Sequence, residues 1–305
     1  MGPCRRRGPA FSQMGVRHVG WHQTRAFWGP LVGSSRAMNH REVPTPVGPT
    51  PAMAEGPAAA GIGVEQSAPS PVEATARLLE RSFRQAVPRP PGARPGAAPR
   101  WAGAGARARV GVGLDRIEGA LRQVEVAAQH QRSAQAAVLL ALFEEEGEAL
   151  AVLIRRAPAL AQDPGHLALP GGHIEPGEPP LAAALREAEE EIGLDPALVT
   201  LLGVLPPVLR ARSSESVLAF VGALERRPAL VLNPDEVDAV LEVRLCDLLA
   251  DGVAWQERWP RVEERSVCFF ATPQLGDDLL WGVTARIFWS LLEAVVAAYA
   301  GPREA

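Results

Sequence analysis

Four glutamates are crowded into residues 187–191, and three of them share one side of the segment if it is helical. At about 100° per residue, Glu187, Glu190 and Glu191 fall within one arc, whereas Glu189 lies on the opposite flank. Like charges at these spacings repel by roughly a few tenths of a kcal/mol per pair, which an exposed helix tolerates. Such a side is either a solvated acidic surface or a site for a hard divalent cation, since Mg²⁺ prefers carboxylate oxygens.

The element that must position these glutamates is a helix predicted over Pro179–Ile192. Proline is tolerated in the first turn of a helix, and Gly193 with Pro196 is a usual signal for its end. One face is apolar and is expected to pack on a sheet; it contains Leu181, Ala184, Leu185, Ala188 and Ile192.

The segment before the helix favours the cation site. Gly171 and Gly172 form a tight turn in which backbone can approach a ligand closely. Gly172 is followed after five residues by Glu178 and after seven more by Arg186-Glu187-Ala188-Glu189-Glu190-Glu191-Ile192-Gly193-Leu194. This spacing resembles the Nudix box, Gly-x5-Glu-x7-Arg-Glu-U-x-Glu-Glu-x-Gly-U with U apolar, and every fixed position is filled.

The resemblance implies a role for each residue of the motif. Glu187, Glu190 and Glu191 would bind Mg²⁺ or Mn²⁺, and the backbone of Gly172 would approach the metal. Arg186, helped by Glu178, would orient the glutamates. Bound metal would lower the pKa of a water that attacks a phosphoanhydride bond. The base that takes the water proton is either Glu187 or Glu236, and only geometry can decide between them.

A second resemblance concerns the substrate. Leu153, Arg156, Ala157, Gly165 and the Pro170–Gly172 turn match the motif upstream of the box in coenzyme A diphosphatases. Trp281-Gly-Val-Thr-Ala285 matches a later run in the same subfamily. An arginine of that motif is replaced by Ala161, which removes a good phosphate ligand. The resemblance implies coenzyme A or its thioesters as substrate, with Arg155, Arg156, Gly171 and Gly172 binding it.

Two alternatives stay open at this level. The substrate is otherwise another nucleoside diphosphate derivative, such as NADH, ADP-ribose or a nucleoside triphosphate. A non-catalytic Nudix fold used for ligand sensing is the alternative from a different class, although such relatives usually lose the box glutamates.

Apolar runs predict the fold around the helix. Strands are expected at Ala134–Phe143, Leu150–Ile154, Val199–Leu205, Ser216–Leu224 and Val237–Val243, with a closing helix at Trp281–Tyr299. Together they predict an α/β/α sandwich with a mixed central sheet, the Nudix fold. Residues 133–300 form the predicted Nudix domain, and residues 106–132 a helical lead-in with a helix at Asp115–Ala128.

Residues 1–105 are predicted to be a disordered arm rich in Pro, Gly, Ala and Arg, with one transient helix at Val72–Val87. The first 100 residues carry 13 Arg and 5 Glu, whereas the rest carry 18 Arg and 30 acidic residues. Deleting residues 1–105 is therefore expected to leave turnover intact.

Charge and cysteine usage limit the partners and the compartment. An acidic domain suits divalent cations and a small nucleotide substrate, and it is poor for gripping nucleic acid. Three cysteines without metal-ligand spacing predict reduced thiols in a cytoplasmic protein. No membrane span is predicted, because the apolar segment 281–300 carries Arg286 and Glu293. The resemblance adds a homodimer as an expectation.

Overall fold

The computed structural model describes residues 83–84, 87–102, 111–126, 133–210, 215–260 and 266–299. Its helices are α1 (Leu114–Leu121), α2 (Pro180–Ile192), α3 (Leu245–Leu248) and α4 (Gly282–Tyr299). Its strands are β1 (Arg94–Pro95), β2 (Ala136–Glu145), β3 (Glu148–Arg156), β4 (Leu167–Ala168), β5 (Gly171–His173), β6 (Thr200–Leu209), β7 (Ser216–Ala223), β8 (Val237–Arg244), β9 (Ala254–Arg258), β10 (Ser266–Phe270) and β11 (Leu280–Trp281).

The central sheet is mixed, as predicted. Its strands follow the order β4-β3-β2-β7-β6, while β5 also pairs with β2 and β8 with β3. The pairing of β2 with β7 is parallel, and the other pairings in this sheet are antiparallel. Strands β2 and β3 are buried along most of their length, which explains why both read as continuous apolar runs.

Helices cover both faces of this sheet, so the α/β/α sandwich is confirmed. Alternate residues of β3 belong to different cores. Leu150, Val152 and Ile154 pack in the core beneath α2. Ala149, Ala151 and Leu153 pack in the other core, which α1 and α4 cover.

A second sheet, with the order β1-β9-β10-β11, was not predicted from the sequence. Its strands have two to five residues each, too short for a periodicity signal. Aromatic rings stabilise it: Trp255 stacks on Phe269 with centroids 5.1 Å apart, and Phe269 stacks on Trp281 at 6.3 Å.

The predicted disordered arm is too long at its C-terminal end. Residues 87–102 pack on the folded domain, and β1 pairs with β9. Arg89 donates two hydrogen bonds of 2.8 and 2.7 Å to Glu257, and Trp101 is buried against Trp289. The rest of the arm, and almost all of the helix predicted at Val72–Val87, lie outside the described residues.

Helix α1 ends at Leu121, seven residues before the predicted end at Ala128; residues 127 and 128 lie outside the described residues. Side chains of the β2–β3 hairpin cap the N-terminal end of α1. The amides of Val112 and Leu114 donate to the carboxylates of Glu148 and Glu144, at 3.1 and 2.9 Å. These side chains satisfy donors that the helix itself cannot pair, and they suit its positive end.

Among the described residues, α4 is the one helix long and apolar enough to cross a membrane by length and composition. Seven of its side chains are buried, among them Phe288, Trp289 and Leu292. They pack against strands of both sheets and against α1. The core helix of a folded domain has the same features, so the prediction of a docked helix agrees with the packing.

Candidate active site

Helix α2 carries the glutamates as predicted, but it buries one of them. Pro180 opens the helix, and Gly193 ends it in the left-handed conformation at φ 64°. Ala183, Ala184, Ala188 and Ile192 are buried against the sheet. Glu191 is also buried, with 2% of its surface exposed. A charged group is buried only when neighbours compensate it, so its surroundings define the site.

The Gly171–Gly172 turn lies directly against this helix. The amide of Gly171 donates a 3.0 Å hydrogen bond to Glu191. Gly171 has φ 147° and is strained for any other residue, and a Cβ there would lie 2.4 Å from the carbonyl oxygen of Ala137. A Cβ on Gly172 would lie 2.4 Å from the Glu187 carboxylate. Gly171 is therefore required by its close approach to the backbone of strand β2, whereas a side chain at Gly172 would displace the Glu187 carboxylate.

Arg186 holds the glutamates from one side. Its Nε and Nη2 donate to the two oxygens of Glu178 at 2.9 and 3.1 Å, a bidentate pair. Its Nη1 donates to Glu187 at 3.1 Å and to Glu190 at 3.0 Å. The Arg186 guanidinium lowers the pKa of Glu178. The geometry agrees with the orienting role that the sequence predicted for Arg186 and Glu178.

Burial and mutual repulsion raise the pKa of two site glutamates. Burial, together with the charges of Glu187 and Glu236, raises the pKa of Glu191 to about 7, against the hydrogen bond from Gly171 and the charge of Arg156. Burial also raises the pKa of Glu187, and Glu190 and Glu236 add to this rise against Arg186. Anionic groups in this cluster are thus destabilised unless a cation joins them.

Glu236 reaches the cluster from a different part of the chain. The loop before β8 docks on the end of α2, because the amide of Asn233 donates to the carbonyl of Glu191 at 2.9 Å. The Asn233 side chain is 3.4 Å from the Glu236 carboxylate. The carbonyl of Glu236 accepts from the amide of Ala157 at 2.8 Å. The charge of Glu236 acts on Glu187 and Glu191, so the structure brings together two glutamates of α2 and a glutamate 44 positions beyond the end of the helix.

The two predicted substrate-binding arginines are separated, which corrects part of the prediction. Arg156 lies on the α2 side, with Nη1 4.0 Å from Glu191. Arg155 is directed to the other side, where it pairs with Asp278 and Asp238. Successive strand residues face opposite sides, so adjacent arginines in β3 cannot both serve one site. Arg156 therefore lies beside the glutamate cluster and its substrate-binding role stays a prediction, whereas Arg155 is paired with two aspartates.

The residues of the coenzyme A diphosphatase resemblance lie close to the glycine turn. Trp281 contacts the His166 ring edge-on at 5.3 Å, and the hydroxyl of Thr284 donates to the carbonyl of Leu167 at 3.4 Å. His166 follows the loop that begins at Arg156, and its carbonyl accepts from the Arg156 amide at 3.0 Å. Burial lowers the pKa of His166. These contacts connect the second sheet to the segment that enters the active site.

The donor chemistry of the cluster suits a divalent cation. Glu187, Glu190 and Glu191 offer hard oxygen ligands, and burial of like charges at Glu187 and Glu191 is relieved by a bound cation. Within the part of the chain described, no three His, Cys, Asp or Glu side chains stand as a finished metal cage. The Nη1 of Arg186 is hydrogen-bonded to both Glu187 and Glu190, so the guanidinium lies between these two carboxylates.

Sequence reasoning assigned no role to Asn233, Asp238 or Asp278. Asn233 contacts the Glu236 carboxylate, and the two aspartates pair with Arg155. Local patterns do not reveal these contacts, since they depend on which strands become neighbours.

Comparisons with known proteins identify the family of the domain that contains these residues. The NUDIX domain model matches residues 133–274. The protein named Nudix hydrolase 22, chloroplastic, of Arabidopsis thaliana is 37% identical over 177 residues, covering 56% of this chain and 57% of its own length. Nudix hydrolase 15, mitochondrial, of the same plant is 34% identical over 174 residues, covering 55% and 60%.

A bacterial relative is covered more fully. Uncharacterized Nudix hydrolase NudL of Photorhabdus laumondii is 35% identical over 162 residues, covering 52% of this chain and 84% of its own length. The chain spans 57% and 60% of the length of the two plant relatives it matches.

Proposed function

Because this chain belongs to the Nudix family, we propose that it is a hydrolase that cleaves a phosphoanhydride bond with the help of Mg²⁺ or Mn²⁺. One observation carries the proposal: Glu187 and Glu191 lie against the Gly171–Gly172 turn beside Arg156, and the charge of Glu236 acts on both. Such a cluster has little value for stability, since its buried carboxylates repel one another. Its raised pKa values and its position between a glycine turn and an arginine are typical of a functional site.

Each side chain of the cluster has a separate proposed role. Arg156 binds and orients a phosphate oxygen of the substrate, because guanidinium is suited to phosphate geometry. Glu187, Glu190 and Glu191 hold the cation, which when bound neutralises diphosphate charge and provides hydroxide near neutral pH. Arg186 and Glu178 keep the glutamates in place, and the amide of Gly171 holds one oxygen of Glu191.

Glu236 is proposed as the base that takes the proton of the attacking water. It belongs to neither the helix nor the Arg186 network, so its carboxylate is available for a proton. Glu187, the other candidate, accepts a hydrogen bond from Arg186 and would also bind the proposed cation. Glu236→Gln should therefore lower kcat by about 10²-fold or more.

The proposed substrate is coenzyme A or an acyl-CoA, cleaved to 3′,5′-ADP and 4′-phosphopantetheine or its acyl form. The match of Arg156, Ala157, Gly165 and the glycine turn to the subfamily motif supports it, and so does the contact of Trp281 with His166 beside that loop. Homodimer formation and a cytoplasmic location stay predictions; the names of the two plant relatives carry the words chloroplastic and mitochondrial.

Product analysis tests this proposal. The full chain is incubated with Mg²⁺ or Mn²⁺ and, separately, with coenzyme A, acetyl-CoA, NADH, ADP-ribose and a nucleoside triphosphate, and products are separated chromatographically. Release of 3′,5′-ADP from coenzyme A at the highest kcat/KM is expected. Faster turnover of ADP-ribose or NADH than of coenzyme A would overturn the assignment of coenzyme A as the substrate. No turnover of any compound, together with no divalent ion binding by calorimetry, would overturn the enzyme itself and favour a sensing module.

A further inference from the structure

We propose that Arg155 is a positioning residue that holds the Glu236 loop over the glutamate cluster through Asp238 and Asp278. The proposal rests on the function proposed above, because it assigns to Arg155 the task of placing the base. The sequence grouped Arg155 with Arg156 as a phosphate ligand, and the structure gives it different partners on the opposite side of the sheet.

The first step is the pairing of β3 with β8, which contains a bulge next to Arg155. Ile154 pairs with Val240 and Arg155 with Ala239, but Arg156 pairs with Val237. Strand β8 thus has one extra residue, Asp238, opposite the Arg155–Arg156 peptide. Bulges commonly redirect side chains next to active sites.

The bulge decides on which side of the sheet the preceding loop arrives. Val237 and Val240 both pack in the core beneath α2, although they are three residues apart. Without the extra residue they would face opposite sides. Because Asp238 is inserted, Val237 faces α2. Glu236 precedes it in the loop in which the amide of Glu236 donates to the carbonyl of Asn233 at 3.1 Å and the amide of Asn233 donates to the carbonyl of Glu191 at 2.9 Å.

The second step is the anchoring of the bulge by Arg155. Its Nη1 donates to Asp238 at 3.2 Å, and its Nε donates to Asp278 at 3.3 Å, while Nη2 also bonds Asp278. Asp278 is 2% exposed and also contacts Arg84 at 3.4 Å. One guanidinium therefore ties the bulged residue to a buried carboxylate in the loop before β11.

A fixed anchor matters because a general base must lie within hydrogen-bond reach of the water it deprotonates. A displacement of about 1 Å can cost about 10²-fold in rate. Among the described residues, the one hydrogen-bond partner of the Glu236 carboxylate is the Asn233 side chain, at a long 3.4 Å. The backbone must therefore supply its position, through the bond from Ala157 to the Glu236 carbonyl and the Arg155–Asp238 pair.

Hydrogen exchange measures this anchoring without requiring any activity. Asp238→Ala removes the half-exposed partner, so folding is not at risk. Arg155→Met removes all three hydrogen bonds to Asp238 and Asp278. We expect peptides covering residues 230–240 to exchange roughly threefold or more faster in both variants, since locally opened amides exchange faster. Arg227→Met is the matched control. It breaks the pair of Arg227 with Glu242, also on β8, and should leave residues 230–240 unchanged.

Kinetics with coenzyme A and Mg²⁺ then separate positioning from bulk stability. Asp238→Ala should lower kcat roughly tenfold with KM within about twofold, since the interaction acts on the chemical step. In a Glu236→Gln background it should lower kcat no further, because both changes act through one group. Arg155→Lys should retain a higher kcat than Arg155→Met, because lysine keeps the positive charge.

Each outcome decides a different point. Unchanged exchange in residues 230–240, or a full additional loss of kcat in the Glu236→Gln background, overturns the positioning role. Absence of coenzyme A turnover by the unaltered protein contradicts the proposed substrate, and the exchange comparison still decides the role of Arg155.

Discussion

The N-terminal segment 87–102 should be essential for folding, contrary to the expectation that residues 1–105 are dispensable. Its main anchor is Arg89, which forms the bidentate pair with Glu257. Glu257 is 3% exposed and also accepts from the indoles of Trp255 at 3.2 Å and Trp259 at 3.0 Å. Removing Arg89 leaves a buried carboxylate without its cation, which costs about 3–5 kcal/mol.

The size of the effect follows from these contacts. Arg89→Ala should lower the free energy of unfolding by about 3 kcal/mol, at the low end because 37% of the arginine side chain is exposed. Deleting residues 1–105 also removes Trp101, which is 1% exposed, and adds about 3 kcal/mol or more. A domain has about 5–15 kcal/mol in total, so this deletion should unfold much of the protein.

Urea denaturation followed by circular dichroism measures both effects. The control is Arg227→Ala, which breaks an exposed pair with Glu242 and should cost at most about 1 kcal/mol. A variant that lacks residues 1–82 provides the baseline for the longer deletion. If Arg89→Ala and Arg227→Ala had the same urea midpoint, or if the 1–105 deletion unfolded like the 1–82 deletion, the anchoring would be refuted.

Three further outcomes are expected. Glu191→Gln should lower kcat with the best substrate about 10²-fold or more and weaken divalent ion binding in calorimetry, and unchanged values of both would contradict the cation site. Gly172→Ala should lower kcat while the fold survives, because the new Cβ displaces the Glu187 carboxylate. Gly147→Ala, in the β2–β3 hairpin, should cost about 1 kcal/mol of stability because of its φ of 80°, and it should keep its kcat because no atom lies within 4 Å of the new Cβ. Burial and the neighbouring Glu148 raise the pKa of Cys246 to about 12, so its thiolate fraction at pH 8 lies below that of a free thiol. Peptide-resolved alkylation with iodoacetamide should therefore be slow at Cys246 at pH 8 and speed up toward pH 10; rapid labelling of the folded protein at pH 8 would contradict it.

The chemistry of the glutamate cluster could be predicted from the sequence because it depends on short spacings between residues of one helix. Glu187, Glu190 and Glu191 share a helix whose start and end are marked by Pro180 and Gly193, and these local rules act independently of the rest of the chain. The long strands β2 and β3 could also be predicted from local sequence, since both are buried and appear as continuous apolar runs. Short strands such as β1 and β11 carry no comparable signal.

Tertiary structure alone decided which distant residues meet the helix. Arg155 and Arg156 are equivalent in the sequence, but the pleat of β3 directs one to Glu191 and the other to Asp278. Glu236 was a candidate by resemblance, yet its approach depends on a bulge at Asp238 that appears only when β3 and β8 pair. Glu191 shares an arc with Glu187 and Glu190 in the sequence, but its burial follows from the turn that β5 places against α2. Local spacing determines what a segment can do, whereas the pairing of remote strands determines which partners it meets.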